Sequence, residues 1–374
     1  MEESAVATNE TLSEGQEKVL SILPVFSSLL SIWGSTNILI MYKNSPKRSR
    51  NCYKRIMLGL SCTDLIMSLT LALQAFLLPH SGGVVWAIGN EASCNVMGFF
   101  QQFGFSAVWY NGMLSWMFLL SIKYSVSEED LGKKYEPWMH GTSILFNLVT
   151  AAIGAGFDMY DQLSLGLSCW FTGHTGTLFA YFASALPVTL VFIAIPVNNL
   201  MIYYHVKHLL LFNEDNENES NIELRLVTQS LYTMCDTTNL QPNQLDNETI
   251  NSGHTTFSNE QTRQESKDSR ENLREQARQQ ARLQSLLNRQ RERLQDVAYQ
   301  SCLYVGSFYI THITTFIIRL SSAIIGASNL RNSMYPLLVI QAIMLPLQGM
   351  FNYMIYSRPF YLREALGRDG RSNE

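Results

Sequence analysis

The feature that most constrains this chain is a set of seven long intervals almost free of charge. They run from Val19 to Tyr42, Ile56 to Pro79, Ala92 to Ile122, Trp138 to Phe157, Leu178 to Tyr204, Val297 to Ile318 and Tyr335 to Tyr356. A bilayer core of roughly 30 Å takes about 20 helical residues to cross. Lipid cannot solvate unpaired backbone groups, so spanning segments are helices or closed barrels. Barrel strands would alternate polar and apolar residues over about 10 positions, and these runs do not. Buried helices of soluble proteins are usually shorter and amphipathic. The expected fold is an all-α membrane protein, a seven-transmembrane helix bundle. The overall 47% hydrophobic and 16% charged content averages over unlike regions. Charges crowd into the amino-terminal tail, the stretch from Lys43 to Arg55, and the polar block from Asn213 to Asp296.

Orientation follows from Lys and Arg near the span ends, which stay cytosolic. The first loop holds Lys43, Lys47, Arg48, Arg50, Lys54 and Arg55 with no acid, whereas the tail holds Glu2, Glu3, Glu10, Glu14 and Glu17 against Lys18. The tail (1–18) is therefore expected outside, and the carboxyl-terminal segment (358–374), with Arg358, Arg363, Arg368 and a short eighth helix, in the cytosol. The second loop is indecisive, since Lys123, Lys133 and Lys134 face four acids. The tail lacks the basic and apolar regions of a cleavable signal, so the first span is expected to act as the insertion signal. Of the glycosylation acceptors at Asn9, Asn218 and Asn247, only Asn9 would meet the glycosylation machinery.

Of six cysteines, this topology puts only Cys94 and Cys169 at the outer face. Pairing them would pin the loop between spans four and five over the bundle mouth; two unrelated thiols are the alternative. Spans one to five occupy 19–212 and spans six and seven 297–357, with the third cytosolic loop (213–296) between. Its first part, Asn213 to about Gln261, is too polar to offset ordering entropy and is expected to be disordered. From Ser269, Arg270, Arg274, Arg278 and Arg282 recur every fourth residue among helix-favouring Ala and Leu, predicting a cytosolic extension of the sixth helix. It is either a solvated stalk beside anionic lipid or a partner-docking element; attachment to a span disfavours nucleic acid.

Ionisable groups inside a span are functional candidates because burying them in lipid is costly. Asp64 lies near the middle of the second span, with Asn37 and Asn352 as expected companions, in a switching or cation-binding cluster or a structural hydrogen-bond node. His312 lies mid-span, and Arg319, seven residues on, nears the outer interface on roughly the same face. Together they would face an outward cavity suited to an anionic or carboxylate ligand, unless Arg319 snorkels. Trp109, Tyr110 and Trp170 are candidates for the same cavity, or packing and interfacial anchors.

These residues resemble the G-protein-coupled receptor superfamily. Leu60, Ser61 and Asp64 look like the Leu-Ser-x-x-Asp portion of helix two, Cys94 and Cys169 like the disulfide tying helix three to the second outer loop. Asn352, Tyr353, Met354, Ile355 and Tyr356 resemble the Asn-Pro-x-x-Tyr end of helix seven, with Tyr353 in place of proline. Departures are as clear: helix three ends in Ser121, Ile122, Lys123 and Tyr124 instead of an acid-Arg-Tyr triplet, and helix six has no Cys-Trp-x-Pro hinge. Cys169 with Trp170, the run Leu347 to Asn352 leading to Tyr356, Arg358 and Pro359, and Asn51 to Arg55 with Leu58, Gly59 and Leu60 look closer to the cyclic-AMP-receptor-like receptors of unicellular eukaryotes.

The resemblance implies a plasma-membrane receptor in which an extracellular ligand rearranges the helices to engage a heterotrimeric G protein, without a cofactor. The expected ligand contacts are Trp109, Tyr110, Trp170, His312 and Arg319; the switch is Asn37, Asp64, Asn352 and Tyr356; the coupling face is Lys123, Tyr124, Lys207, Arg289, Arg291 and Arg293. A transporter or channel using Asp64 and His312 as ion-relay groups is the rival. A retinal Schiff base is excluded because no span carries a lysine. The bundle offers neither paired acids nor a nucleophile beside His312, so an intramembrane enzyme is not expected.

Overall fold

The computed structural model describes residues 12–46, 51–163, 167–211, 261–325 and 333–358, with most side chains of 261–293 left undescribed. Asn9, the block 213–260 and the tail beyond Arg358 lie outside these residues, as do the expected disorder and eighth helix.

Most of the described residues fall in seven long helices: α1 (Glu14–Asn44), α2 (Cys52–Leu73), α3 (Glu91–Ile122), α4 (Glu136–Gly156), α5 (Gly173–Leu209), α6 (Gln261–Ile325) and α7 (Tyr335–Arg358). Six of them are long and apolar enough to cross a membrane. The exception is α4, 21 residues long, whose hydropathy is diluted by His140, Ser143, Asn147 and Thr150. Its outward face is nevertheless apolar: Leu145, Leu148, Val149 and Ile153 are exposed while Ser143, Asn147 and Thr150 are buried. This inverted amphipathicity is what a lipid solvent demands, because apolar residues gain nothing by leaving it and polar ones do. The chain is a multi-pass membrane protein.

The inversion is sharpest in α1. Phe26, Leu29, Leu30 and Trp33 point outward, and Ser27, Ser28, Ser31, Gly34 and Ser35 face the bundle. Small residues let backbones approach closely: a Cβ on Gly34 would lie 2.7 Å from the Gly349 carbonyl oxygen on α7, and the Gly349 amide donates to Ser31 Oγ at 3.0 Å. The start of α1 is fixed by a reciprocal cap in which the Gln16 amide donates to Ser13 Oγ and the Ser13 amide to Gln16 Oε1.

Three helices are locally irregular. α3 breaks at Phe105 between Gly104 and Ser106, α5 carries a π-turn at Tyr181–Ala185, and α7 tightens to 3-10 geometry at Leu345–Leu347, around Pro346. α6 has no such break and no proline; it is one continuous helix of 65 residues, whose part before Leu294 lies beyond the membrane-length segment Leu294–Ser322 and is called the stalk. The helix begins at Gln261, eight residues before Ser269, where the arginine pattern starts.

Between α4 and α5 the chain forms an antiparallel hairpin, β1 (Tyr160–Gln162) and β2 (Cys169–Phe171). A disulfide between Cys94 and Cys169, Cα atoms 5.4 Å apart, ties β2 to the start of α3. The hairpin marks one end of the bundle, the disulfide end; α6 leaves from the other, the stalk end.

Candidate functional site

Asp64 on α2 is buried, and its carboxylate accepts a hydrogen bond of 2.8 Å from the Asn352 amide on α7. Asn352 Oδ1 accepts from Gln348 Nε2 at 3.0 Å, one turn back along α7. Gln348 Oε1 in turn accepts from Thr311 Oγ1 on α6 at 2.5 Å, and Thr311 Oγ1 lies 2.7 Å from His312 Nδ1. Asp64, Asn352, Gln348, Thr311 and His312 are thus consecutive links of one buried chain joining α2, α7 and α6. In a low-dielectric interior such links reinforce one another, and removing one strands its neighbours.

Asn37 is not a link. Its amide donates to its own helix, to the Trp33 carbonyl at 2.8 Å, so the expected companionship with Asp64 is corrected: α1 meets α7 through Ser31, Gly34 and Gly349 instead. Asn352 is where the sequence placed it. Gln348 and Thr311 were missed, although Gln348 stands four residues before Asn352, the spacing at which helical side chains meet.

The expected ligand residues divide. At the disulfide end the Arg319 guanidinium lies over the Trp170 ring, 5.1 Å from its centroid, and Trp170 packs on Phe105 at 5.2 Å. Among the described residues no carboxylate forms a salt bridge with Arg319. His312 turns inward, stacked on Phe308 at 4.7 Å and bonded to Thr311 and the Phe308 carbonyl. It is a member of the polar chain and not of an outward cavity. Trp109 packs on Phe146 of α4. Tyr110 is fully buried, its hydroxyl 2.8 Å from His140 Nδ1 and its ring seated where a Cβ on Gly59 would stand. Tyr110 fills the α2–α3–α4 interior and half-buried Trp109 packs against α4, while Trp170 and Arg319 contact each other at the disulfide end.

At the stalk end, aromatic residues knit α2, α3, α6 and α7 together. Tyr53 Oη is 2.8 Å from Tyr304 Oη and accepts from Gln300 Nε2 at 2.8 Å. The Tyr53 ring stacks on Tyr356 at 5.9 Å, Phe118 stacks on Tyr304 at 6.3 Å, and Arg358 lies over Tyr299 at 4.4 Å. Tyr356, assigned to the switch from sequence, therefore sits in this second cluster. Of the expected coupling residues, Lys207 and Tyr124 are exposed and Lys123 half-buried, its ammonium 5.5 Å from the Tyr124 ring. The side chains of Arg289, Arg291 and Arg293 lie outside the described residues.

Beside this cluster the loop between α3 and α4 is pinned to α2. Arg55 Nε and Nη2 donate to the two oxygens of Glu136 at 2.5 Å each, and His140 Nε2 stands 3.6 Å from Glu136 Oε1. Glu128 accepts the Cys52 amide. Burial raises the Glu136 pKa, but the hydrogen bonds from Arg55, with the nearby His140 ring, outweigh it and lower it to about 2. Glu128 is different: burial raises its pKa, and the Cys52 amide and Arg55 offset this only in part.

No family model and no curated protein matches the sequence. Solved structures do match, among them squid rhodopsin, with a TM-score of 0.56 at 13% identity over 93% of this chain and 83% of that one. The chain accordingly shares the seven-helix fold of squid rhodopsin.

Proposed function

We propose that this protein is a G-protein-coupled receptor of the plasma membrane, its amino terminus outside and its stalk and carboxyl terminus in the cytosol. An anionic ligand engages Arg319 and Trp170 at the disulfide end, and a heterotrimeric G protein docks at the stalk end. The observation that carries this reading is the chain from Asp64 to His312, which binds α2 and α7 to α6 in a fold that such receptors share. Shifting α6 strains these bonds and the contacts of Tyr53, Gln300 and Tyr304, so two arrangements of α6 compete and ligand and G protein bias the same equilibrium. The mechanism is a population shift, without chemistry. The likeness of Cys169, Trp170 and the end of α7 to cyclic-AMP-receptor-like receptors favours that branch.

The test is basal nucleotide exchange on heterotrimers of each G-protein class, with the full chain in nanodiscs. Tyr53→Phe and Gln300→Leu, which loosen the stalk end, are expected to raise exchange several-fold on at least one class. No effect of either variant on any class overturns the proposal.

One observation favours a second reading. Asp64 and His312, the two ionisable groups expected of an ion relay, are the ends of a single hydrogen-bonded chain. Proton flux in sealed vesicles that disappears in His312→Gln would select the relay over the receptor.

A further inference from the structure

A third polar feature lies where α3, α5 and α6 meet, bordering the stalk-end cluster at Tyr304 and Phe118. Asn111, Ser115, Ser301 and Tyr304 line a cavity of about 10 Å³ bounded by Phe118 and Phe308, about the room one water occupies. Asn111 is 4% exposed. Its Nδ2 donates to the Ala107 carbonyl at 2.8 Å, but its Oδ1 accepts from no protein group. Ser115 and Ser301 are bridged by Asn199, whose Nδ2 donates to Ser115 Oγ at 3.2 Å and whose Oδ1 accepts from Ser301 Oγ at 2.8 Å. Ser115 donates onward to the Ile195 carbonyl. Each serine thereby spends its proton and keeps an acceptor lone pair.

Asn111 Oδ1 therefore lacks a donor, and Ser301 Oγ keeps an unused acceptor lone pair. A shielded carbonyl oxygen without a donor is unfavourable, and natural proteins satisfy such atoms with protein groups or ordered water. A divalent cation would require several oxygen ligands, usually with carboxylates, and no acid lines this cavity. Larger ligands do not fit. A water has two protons to give and matches both the volume and the missing donors.

We propose that this cavity is a binding site for one ordered water, which donates to Asn111 Oδ1 and to Ser301 Oγ and so joins α3 to α6. Asn111 and Ser301 make no hydrogen bond to each other, so the water is their link. It extends the Ser115–Asn199–Ser301 seam into a closed joint of three helices. The site rests on cavity and hydrogen-bond geometry alone and stands whether or not the protein couples to a G protein.

Two measurements on the full chain test it. A density map that resolves other buried waters should show a peak about 2.6–3.2 Å from both Asn111 Oδ1 and Ser301 Oγ, absent in Asn111→Leu, whose side chain fills the space without an acceptor. Resolved water elsewhere and none here overturns the proposal. In thermal unfolding, Asn111→Leu and Ser301→Ala should each lower the midpoint, and the double variant should lower it by less than the two shifts together. Additive shifts overturn it. Should Asn111→Leu fail to fold, Asn111→Ser takes its place in the same cycle, with the same expected and contrary outcomes.

Discussion

Asn352 serves two partners at once, donating to Asp64 and accepting from Gln348, so it is the residue whose loss strands the most. Asn352→Leu is expected to destabilise the bundle by roughly 1–3 kcal/mol, the cost of leaving buried polar groups unpaired, read as a lower unfolding midpoint in detergent. Asp64→Asn keeps an acceptor for the Asn352 amide and should cost less. Glu136 gives a prediction with a pH sign. Its pKa in the folded protein is about 2 against an ordinary 4.5, so its stabilisation is complete above about pH 4.5 and is lost as pH falls toward 2. Glu128 works in the opposite sense, because a raised carboxyl favours the folded state as acid protonates it. Glu136→Gln should therefore lower the midpoint at pH 7 and flatten its decline below pH 4.5, and Glu128→Gln should not. Asp64 and Asn352 were legible at this scale because polar atoms within an apolar run announce themselves. Asn37 misled for the same reason: an amide one turn from a carbonyl on its own helix can satisfy itself there, and sequence does not show which partner it takes. Arg55 and Glu136 are 81 residues apart, beyond any local pattern.

At the scale of helices, lengths and lipid-facing surfaces followed from hydropathy, while pairings did not. The serine and glycine stripe of α1 reads in sequence as merely small and polar; only its contact with Gly349 reveals a packing face. Gly34→Val is expected to force α1 and α7 apart, since the obstructing atoms are backbone and cannot rotate aside, and to reduce the yield of folded protein strongly; Gly15→Val, where the space is open, should leave it unchanged. α4 shows the reverse error. Its mean hydropathy understates it, because four of its six polar residues, Glu136, Ser143, Asn147 and Thr150, are buried in the interior. The hairpin was legible only through its cysteine. Removing the bond with Cys169→Ala should cost about 2–4 kcal/mol and free the hairpin, seen as faster amide exchange at Trp170 and Phe171.

For the whole molecule, three polar networks hold α6: the chain from His312 to Asp64 in the interior, the Tyr53, Gln300 and Tyr304 contacts at the stalk end, and the Ser115–Asn199–Ser301 seam to α3 and α5. α3 ends in Ser121, Ile122, Lys123 and Tyr124, and α6 contains no proline. On the proposed receptor reading α6, a continuous helix of 65 residues, turns as a lever about its buried contacts, its length magnifying a small rotation. The most direct measurement is the distance distribution between spin labels at Lys134 and Glu292, both exposed, in the full chain in nanodiscs with other unpaired cysteines replaced. Adding nucleotide-free heterotrimer is expected to populate a longer distance, and Gln348→Leu to populate it without heterotrimer. A single distribution, unmoved by heterotrimer of any class and by the substitution, would contradict the account.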